Sequence, residues 1–359
     1  MTKINNIVLT PLQKCFEKKA LNFFIGPWCE NSNLKKFNYE IIKHQSHHWS
    51  DKTKMLSDYD YLKLLYEKLI LLFSKELNKL HNINEDKKYW EIILGPWLFT
   101  MIPFIFDRWE VIRTFIAQNP NVKFQTIVNK DKNFKFEYTT DLIRPFAYED
   151  NFNLYLFGEI IKKYYKNIKI YEIDVFFEEQ KDKQKNHNLS KLSFKFIKIF
   201  SFINSIQFDA KSMRIFDFLK LCISLRSFPV TTLSLFSIFQ KNFLIKKKFD
   251  VNRNEIKNNI VTKFNKPFEK FCVHFLIETM PQCFLENFME IKKKIDELSS
   301  TQKTFFSNFS ILSNDIYRFW VANSKKNSSI LITNAHGGFI PFKKNSFNYE
   351  NSISDRYLT

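Results

Sequence analysis

The chain has 359 residues, 45% hydrophobic and 26% charged, a balance that excludes global disorder and leaves ample length to bury a core on a roughly two-domain scale. Its formal charge of +18 comes with abundant Lys, Asn, Ile and Phe and only five glycines, the usage of a coding sequence rich in A and T bases. The lysines are therefore read as scattered solvated surface, which argues against a nucleic-acid partner and is compatible with peripheral contact to anionic lipid.

Residues 4–10 and 21–25 are short β-branched or aromatic runs and read as strands, the second stopping at Gly26-Pro27. A strand ending at Gly26-Pro27-Trp28-Cys29-Glu30 places side chains at the carboxyl edge of a sheet, where open α/β folds bind ligands; a plain turn with Trp28 on the core explains the run equally well. The stretch 47–113 is the signature of the chain and holds four of its six tryptophans. It opens on His47-His48-Trp49-Ser50-Asp51. Ser57-x-x-Asp60 then has the form of a capping box, and Leu62, Leu65, Tyr66, Leu69, Leu72, Phe73 and Leu80 recur at helical spacing, so a helix is expected over 58–81. Residues 87–118 read as a second helical region, broken or kinked at Gly95-Pro96.

Residues 124–129 and 134–139 are strand-like with a hairpin loop at 130–133; 151–166 reads as a helix and 168–173 as the strand after it. The polar run 178–189 reads as an exposed loop. Helices are allowed around Phe194 to Ile203 and over 213–225, and Lys246-Lys247-Lys248 reads as the solvated end of an apolar segment. Helices are expected over 267–279, 281–298 and 314–325, the first two opened by proline. A buried strand at 329–333 then runs into Asn334-Ala335-His336-Gly337-Gly338-Phe339. Glycines there let backbone approach a ligand, and a histidine at a strand end can act as acid, base or hydrogen-bond donor; a plain glycine turn is the competing reading.

Five scattered cysteines form no CxxC pair and read as reduced, apolar thiols. The N-terminus lacks a signal-peptide core, and the uncharged run 92–106 is short and carries Gly95, Pro96 and Pro103, so no membrane span and a cytoplasmic chain are expected. His44, His47 and His48 fall close together, but no HExxH or comparable spacing supports a metal-dependent hydrolase.

Taken together, Gly26-Pro27-Trp28-Cys29, His48-Trp49-x-Asp51, Asp58-Tyr59-x-Tyr61-Leu62, Leu77-Asn78 with His81, Tyr89-Trp90, Gly95-Pro96-Trp97-Leu98, Asp107-Arg108-Trp109, and His336-Gly337-Gly338 with Ser354-Asp355-Arg356-Tyr357 run in order over nearly the whole chain. In this the sequence resembles the transferase family of O-antigen and surface-carbohydrate biosynthesis, itself similar to two-lobed GT-B glycosyltransferases. Ala335 stands where that family has Gln, and Phe339-Ile340-Pro341 where it has Tyr-Gly. The resemblance implies an α/β fold: a helix-rich Rossmann-like N-terminal lobe with a largely helical insertion. It divides the chain into 1–177 (α/β lobe with the signature helices), 178–264 (loop and helical segment) and 265–359 (helices, strand and His-Gly-Gly loop leading toward a second lobe beyond the sequence). It further implies a nucleotide-activated donor, a glycan acceptor, no identified cofactor or metal, His336 as the catalytic group, and Gly337, Gly338, His48, Asp51, Asp107 and Arg108 as substrate-binding candidates. A non-catalytic binding module or inactive remnant of the same family is the alternative.

Overall fold

The structure is a computed structural model that describes residues 4–30, 39–43, 46–130, 136–174, 186–208, 214–227, 232–243, 251–298, 302–334 and 348–358. Among them the fold is α/β, mostly helical, with two parallel sheets.

In chain order the first half holds β1 (Ile4–Val8), β2 (Ala20–Phe24), β3 (Glu40–Ile42), α1 (Lys52–His81), α2 (Lys87–Gln118), β4 (Phe124–Asn129), α3 (Thr139–Tyr148), α4 (Asp150–Tyr164) and β5 (Lys169–Ile173). The strands form one parallel sheet in the order β3-β2-β1-β4-β5, with Ile7 opposite Phe23 on one side and Thr126 on the other. The second half holds α5 (His187–Ile203), β6 (Ile206–Phe208), α6 (Ile215–Ser224), α7 (Thr232–Asn242), α8 (Arg253–Val261), α9 (Pro267–Thr279), α10 (Phe288–Asp296), β7 (Thr304–Ser307), α11 (Ser310–Ser313), α12 (Asp315–Lys325), β8 (Ile330–Asn334), α13 (Tyr349–Ile353) and β9 (Arg356–Leu358). Its strands pair in parallel, in the order β6-β7-β8-β9. One hydrophobic cluster runs from Ile7 on β1 to Ile353 on α13 and joins both sheets.

The helical stripe expected over 58–81 is present, but α1 starts earlier: the Asp51 side chain accepts from Thr53 N and Lys54 N, so the cap is Asp51 and not Ser57. No break occurs at Gly95-Pro96, because α2 is continuous to Gln118. It is long and apolar enough to cross a membrane, yet 72% of its most apolar stretch is buried in the fold, as befits the central helix of a core. The hairpin is corrected too: β4 pairs in parallel with β1 and β5, and residues 136–138 lead straight into α3. The rest of that expected hairpin, at 131–135, lies outside the described residues, as does most of the polar run 178–189, whose last residues start α5. Over 281–298 a short 3-10 turn at Gln282–Phe284 precedes α10. Strands β3, β6, β7 and β9 were not anticipated.

Candidate functional site

The strand order reverses between β1 and β4, since the chain leaves β1 toward β2 and leaves β4 toward β5. Their carboxyl ends therefore frame the crevice in which open α/β sheets bind ligands. Gly26 follows β2 there, and a Cβ at this position would overlap the Trp28 ring. Close approach, not backbone strain, makes glycine necessary. Trp28 donates from Nε1 to the Leu9 carbonyl at 3.0 Å and stacks on Phe157 of α4 at 6.4 Å, while Cys29 Sγ donates to the Val8 carbonyl at 3.1 Å. These contacts seat α4 over the end of β1.

The first residue of α4 is Asp150. Its carboxyl is half-buried, no hydrogen bond or ion pair to it occurs among the described contacts, and burial raises its pKa above the ordinary value. Its charge is felt by Cys15 and Cys29, which places it at the β1 edge of the crevice. Burial pushes the Cys15 thiol up to about 11 and the Cys29 thiol up to about 12, so neither supplies a thiolate nucleophile near neutral pH. Asp150 is thus a half-buried carboxyl of raised pKa at this edge. Sequence reasoning missed it; the available signal was the acidic pair Glu149-Asp150 at the start of the helical run read over 151–166.

A second cluster braces the same turn of α4. His47 and His48 lie between β3 and α1, and their Nε2 atoms sit 2.7 and 3.0 Å from Oδ1 of Asp107 on α2. His47 Nδ1 accepts the Trp49 backbone N–H at 3.2 Å, so the proton of this ring is on Nε2 and is donated to Asp107. His48 Nδ1 is buried without a partner, which likewise assigns its proton to Nε2. Arg108 donates to the other Asp107 oxygen at 2.7 Å and, from Nε and Nη2, to Asn153 Oδ1 at 3.0 and 2.9 Å. Asn153 is one helical turn beyond Asp150, on the same side of α4. Burial opposes the Asp107 charge, but the His47 and His48 hydrogen bonds and the Arg108 guanidinium outweigh it and hold the carboxyl well below the usual range.

Donor atoms of His47, His48 and Asp107 all lie within 4.8 Å of one another, close enough to hold a metal ion. The hydrogen bonding fits an ion poorly. Both imidazoles already use Nε2–H on Asp107, a guanidinium lies on its second oxygen, and His48 Nδ1 lacks the acceptor that would orient a metal-binding ring. These groups make a buried clamp for one carboxylate.

The structure thus brings His48, Asp107 and Arg108 together, whereas Asp51 is exposed and spends its carboxylate on the α1 cap. His336, Gly337 and Gly338 lie outside the described residues, beyond the end of β8. Asp355, from the last of the quoted motifs, accepts from Leu331 N at 2.6 Å and pairs with Lys325, so it registers β9 on β8. His81, quoted with the signature motifs, is structural: its Nε2 lies 3.0 Å from the Phe284 carbonyl, its ring stacks on Phe288 at 4.1 Å, and burial lowers its pKa to about 4.

A family model described as LIC12162 family transferase matches residues 5–359. Comparison with curated proteins and with solved structures finds no match.

Proposed function

This chain belongs to the LIC12162 family of transferases, and from that premise we propose that it moves a sugar, or a related activated group, from a nucleotide-linked donor to a glycan acceptor of surface-polysaccharide type. The observation that carries this reading is Asp150, a half-buried carboxylate without a described partner at the switch point of a parallel sheet. In the reaction an acceptor hydroxyl oxygen attacks the donor carbon, the bond from that carbon to the donor phosphate breaks, and its electron pair leaves with the nucleotide. The hydroxyl proton goes to Asp150. A carboxylate with a raised pKa suits that task better than an ordinary one. The Asp107–Arg108–Asn153 chain holds the first turn of α4 and so positions Asp150.

Two parallel sheets in one chain support the finer reading of a GT-B-like glycosyltransferase. In that reading His336, with Gly337 and Gly338, follows the carboxyl end of β8 and supplies the second polar group, and the protein works on the cytoplasmic side where activated donors are made. The test is a thermal-shift screen of the full chain with UDP-, GDP-, dTDP- and CMP-linked sugars, followed by transfer from the stabilising donor to extracted glycolipid. One donor class should raise the melting temperature. Asp150→Asn should keep that shift and lose about a hundredfold or more in transfer rate. A chain that responds to no donor, or a D150N variant with full transfer, sinks the proposal.

A further inference from the structure

Helix α5 buries one face and leaves an apolar stripe on another. Phe194 and Ile197 turn inward, and the Phe194 ring meets Phe239 of α7 at 5.2 Å. Outward, Leu189, Leu192, Phe196, Ile199 and Ile203 recur at intervals of three and four, joined by Phe202; exposure reaches 51% at Ile199, 57% at Ile203 and 76% at Phe202. A soluble surface seldom keeps so continuous a stripe in water. Beside it Lys191, Lys195 and Lys198 are all exposed, and residues 187–203 contain no Asp or Glu. The one described ion pair there, Lys198 with Glu297 at 3.9 Å, joins two exposed side chains and holds little.

We propose that α5 docks the protein on an anionic membrane surface, with its apolar stripe in the headgroup boundary and its three lysines on lipid phosphates. The helix has 17 residues, about 25 Å, and the pairing of an apolar stripe with a purely basic flank is that of an interfacial helix. Charge also decides against a second copy of this chain as the occupant. Two such helices face to face would set lysine against lysine, on molecules that each carry +18. Helix α6 serves as an internal reference. Its Phe218 and Cys222 pack with Phe208 and Phe306, whereas α7, on which α5 rests, packs through Phe236 on Tyr317 and Trp320, which meet Phe305. Phe305 and Phe306 alternate across β7, so α12 and α6 pack on opposite faces of the second sheet, with α7 and α5 stacked outward on the α12 side.

The test is co-sedimentation of the full chain with vesicles of equal parts phosphatidylglycerol and phosphatidylcholine, against phosphatidylcholine alone. Binding is expected to the anionic vesicles only and to weaken with salt. Lys191→Gln/Lys195→Gln/Lys198→Gln should weaken it by about fivefold per lysine. Leu192→Ser/Phe196→Ser/Ile199→Ser should abolish it, with the circular dichroism of both variants unchanged, and Phe216→Ser on α6 should bind as the parent does. Equal binding to both vesicle types, undiminished binding of either α5 variant, or loss only in the α6 variant overturns the proposal. So does a dimer on gel filtration that the serine variant converts to monomer.

Discussion

At the scale of single residues, Asp107 shows how far a side chain's role depends on partners distant in the chain. His47 and His48, 60 and 59 residues away, donate to one oxygen, and adjacent Arg108 takes the other. Asp107→Asn loses these charge-assisted bonds and leaves the guanidinium partly unpaired, so a loss of about 2–4 kcal/mol is expected in urea unfolding. Because the folded carboxyl titrates below its unfolded value of about 3.9, its stabilisation is complete above that pH and drains away as pH falls toward the lower folded value. The parent should lose stability below about pH 4 more steeply than D107N. Added zinc should leave the parent's melting temperature unchanged; a stoichiometric rise would show that the cluster is a metal site after all. His81 acts in a different window. Its pKa falls from about 6.5 unfolded to about 4 folded, so the unfolded chain binds the extra proton and stability declines as pH drops from 6.5 to 4. That decline amounts to about 3 kcal/mol and should be absent in His81→Gln. The sequence marked both histidine sites as unusual, yet local spacing could not say that one clamps a carboxylate and the other fills a core.

At the scale of elements, α2 explains why a proline inside a pattern misleads. Pro96 has no N–H to give to Ile92, four residues back, which argues for a break. The vacancy is filled from outside: Tyr349 of α13 donates to the Ile92 carbonyl at 2.8 Å, and beside it Arg318 donates from Nε to the Ile93 carbonyl at 3.0 Å as a further bond to this turn. Gly95 belongs to the same device, since a Cβ there would overlap the Tyr349 ring. Gly-Pro-Trp is therefore a docking notch for α13, placed by contacts that span more than 250 residues. Tyr349→Phe should cost about 1–2 kcal/mol by leaving that carbonyl unsatisfied. Gly95→Ala should cost about 1–3 kcal/mol through overpacking, and urea midpoints would register both. Elements with a long apolar period, such as α1, α9 and α12, could be read from the sequence because that period is local. The short strands β3, β6, β7 and β9 could not, because three or four residues carry too little alternation and parallel pairing is supplied by distant segments.

At the scale of the whole molecule, the question is what joins the helices around the first sheet to those of the second. Beyond the shared apolar cluster and the Tyr349 contact, a central polar joint is Arg318 on α12, fully buried and paired with equally buried Asp315. Arg318 also donates to the Ile93 carbonyl of α2, to the Ile311 and Leu312 carbonyls and to Thr139 Oγ1, while Asp315 accepts from Thr139 N at 3.0 Å at the start of α3. Every charged atom of the pair has a partner, which is the condition under which a buried ion pair can be kept. Arg318→Met strands the Asp315 carboxylate and the freed carbonyls in the core, and a loss of about 3–5 kcal/mol is expected. Asp315→Leu alone should cost a similar amount by stranding the guanidinium. The double variant removes both charges together and should cost less than the sum, with a coupling of about 1–3 kcal/mol. Additive losses would mean that the two groups act separately. Urea unfolding followed by tryptophan fluorescence and by far-UV circular dichroism gives the same experiment a second reading. The two curves should coincide in the parent, where the core is continuous, and separate in R318M if this joint is what makes the two sheets unfold together.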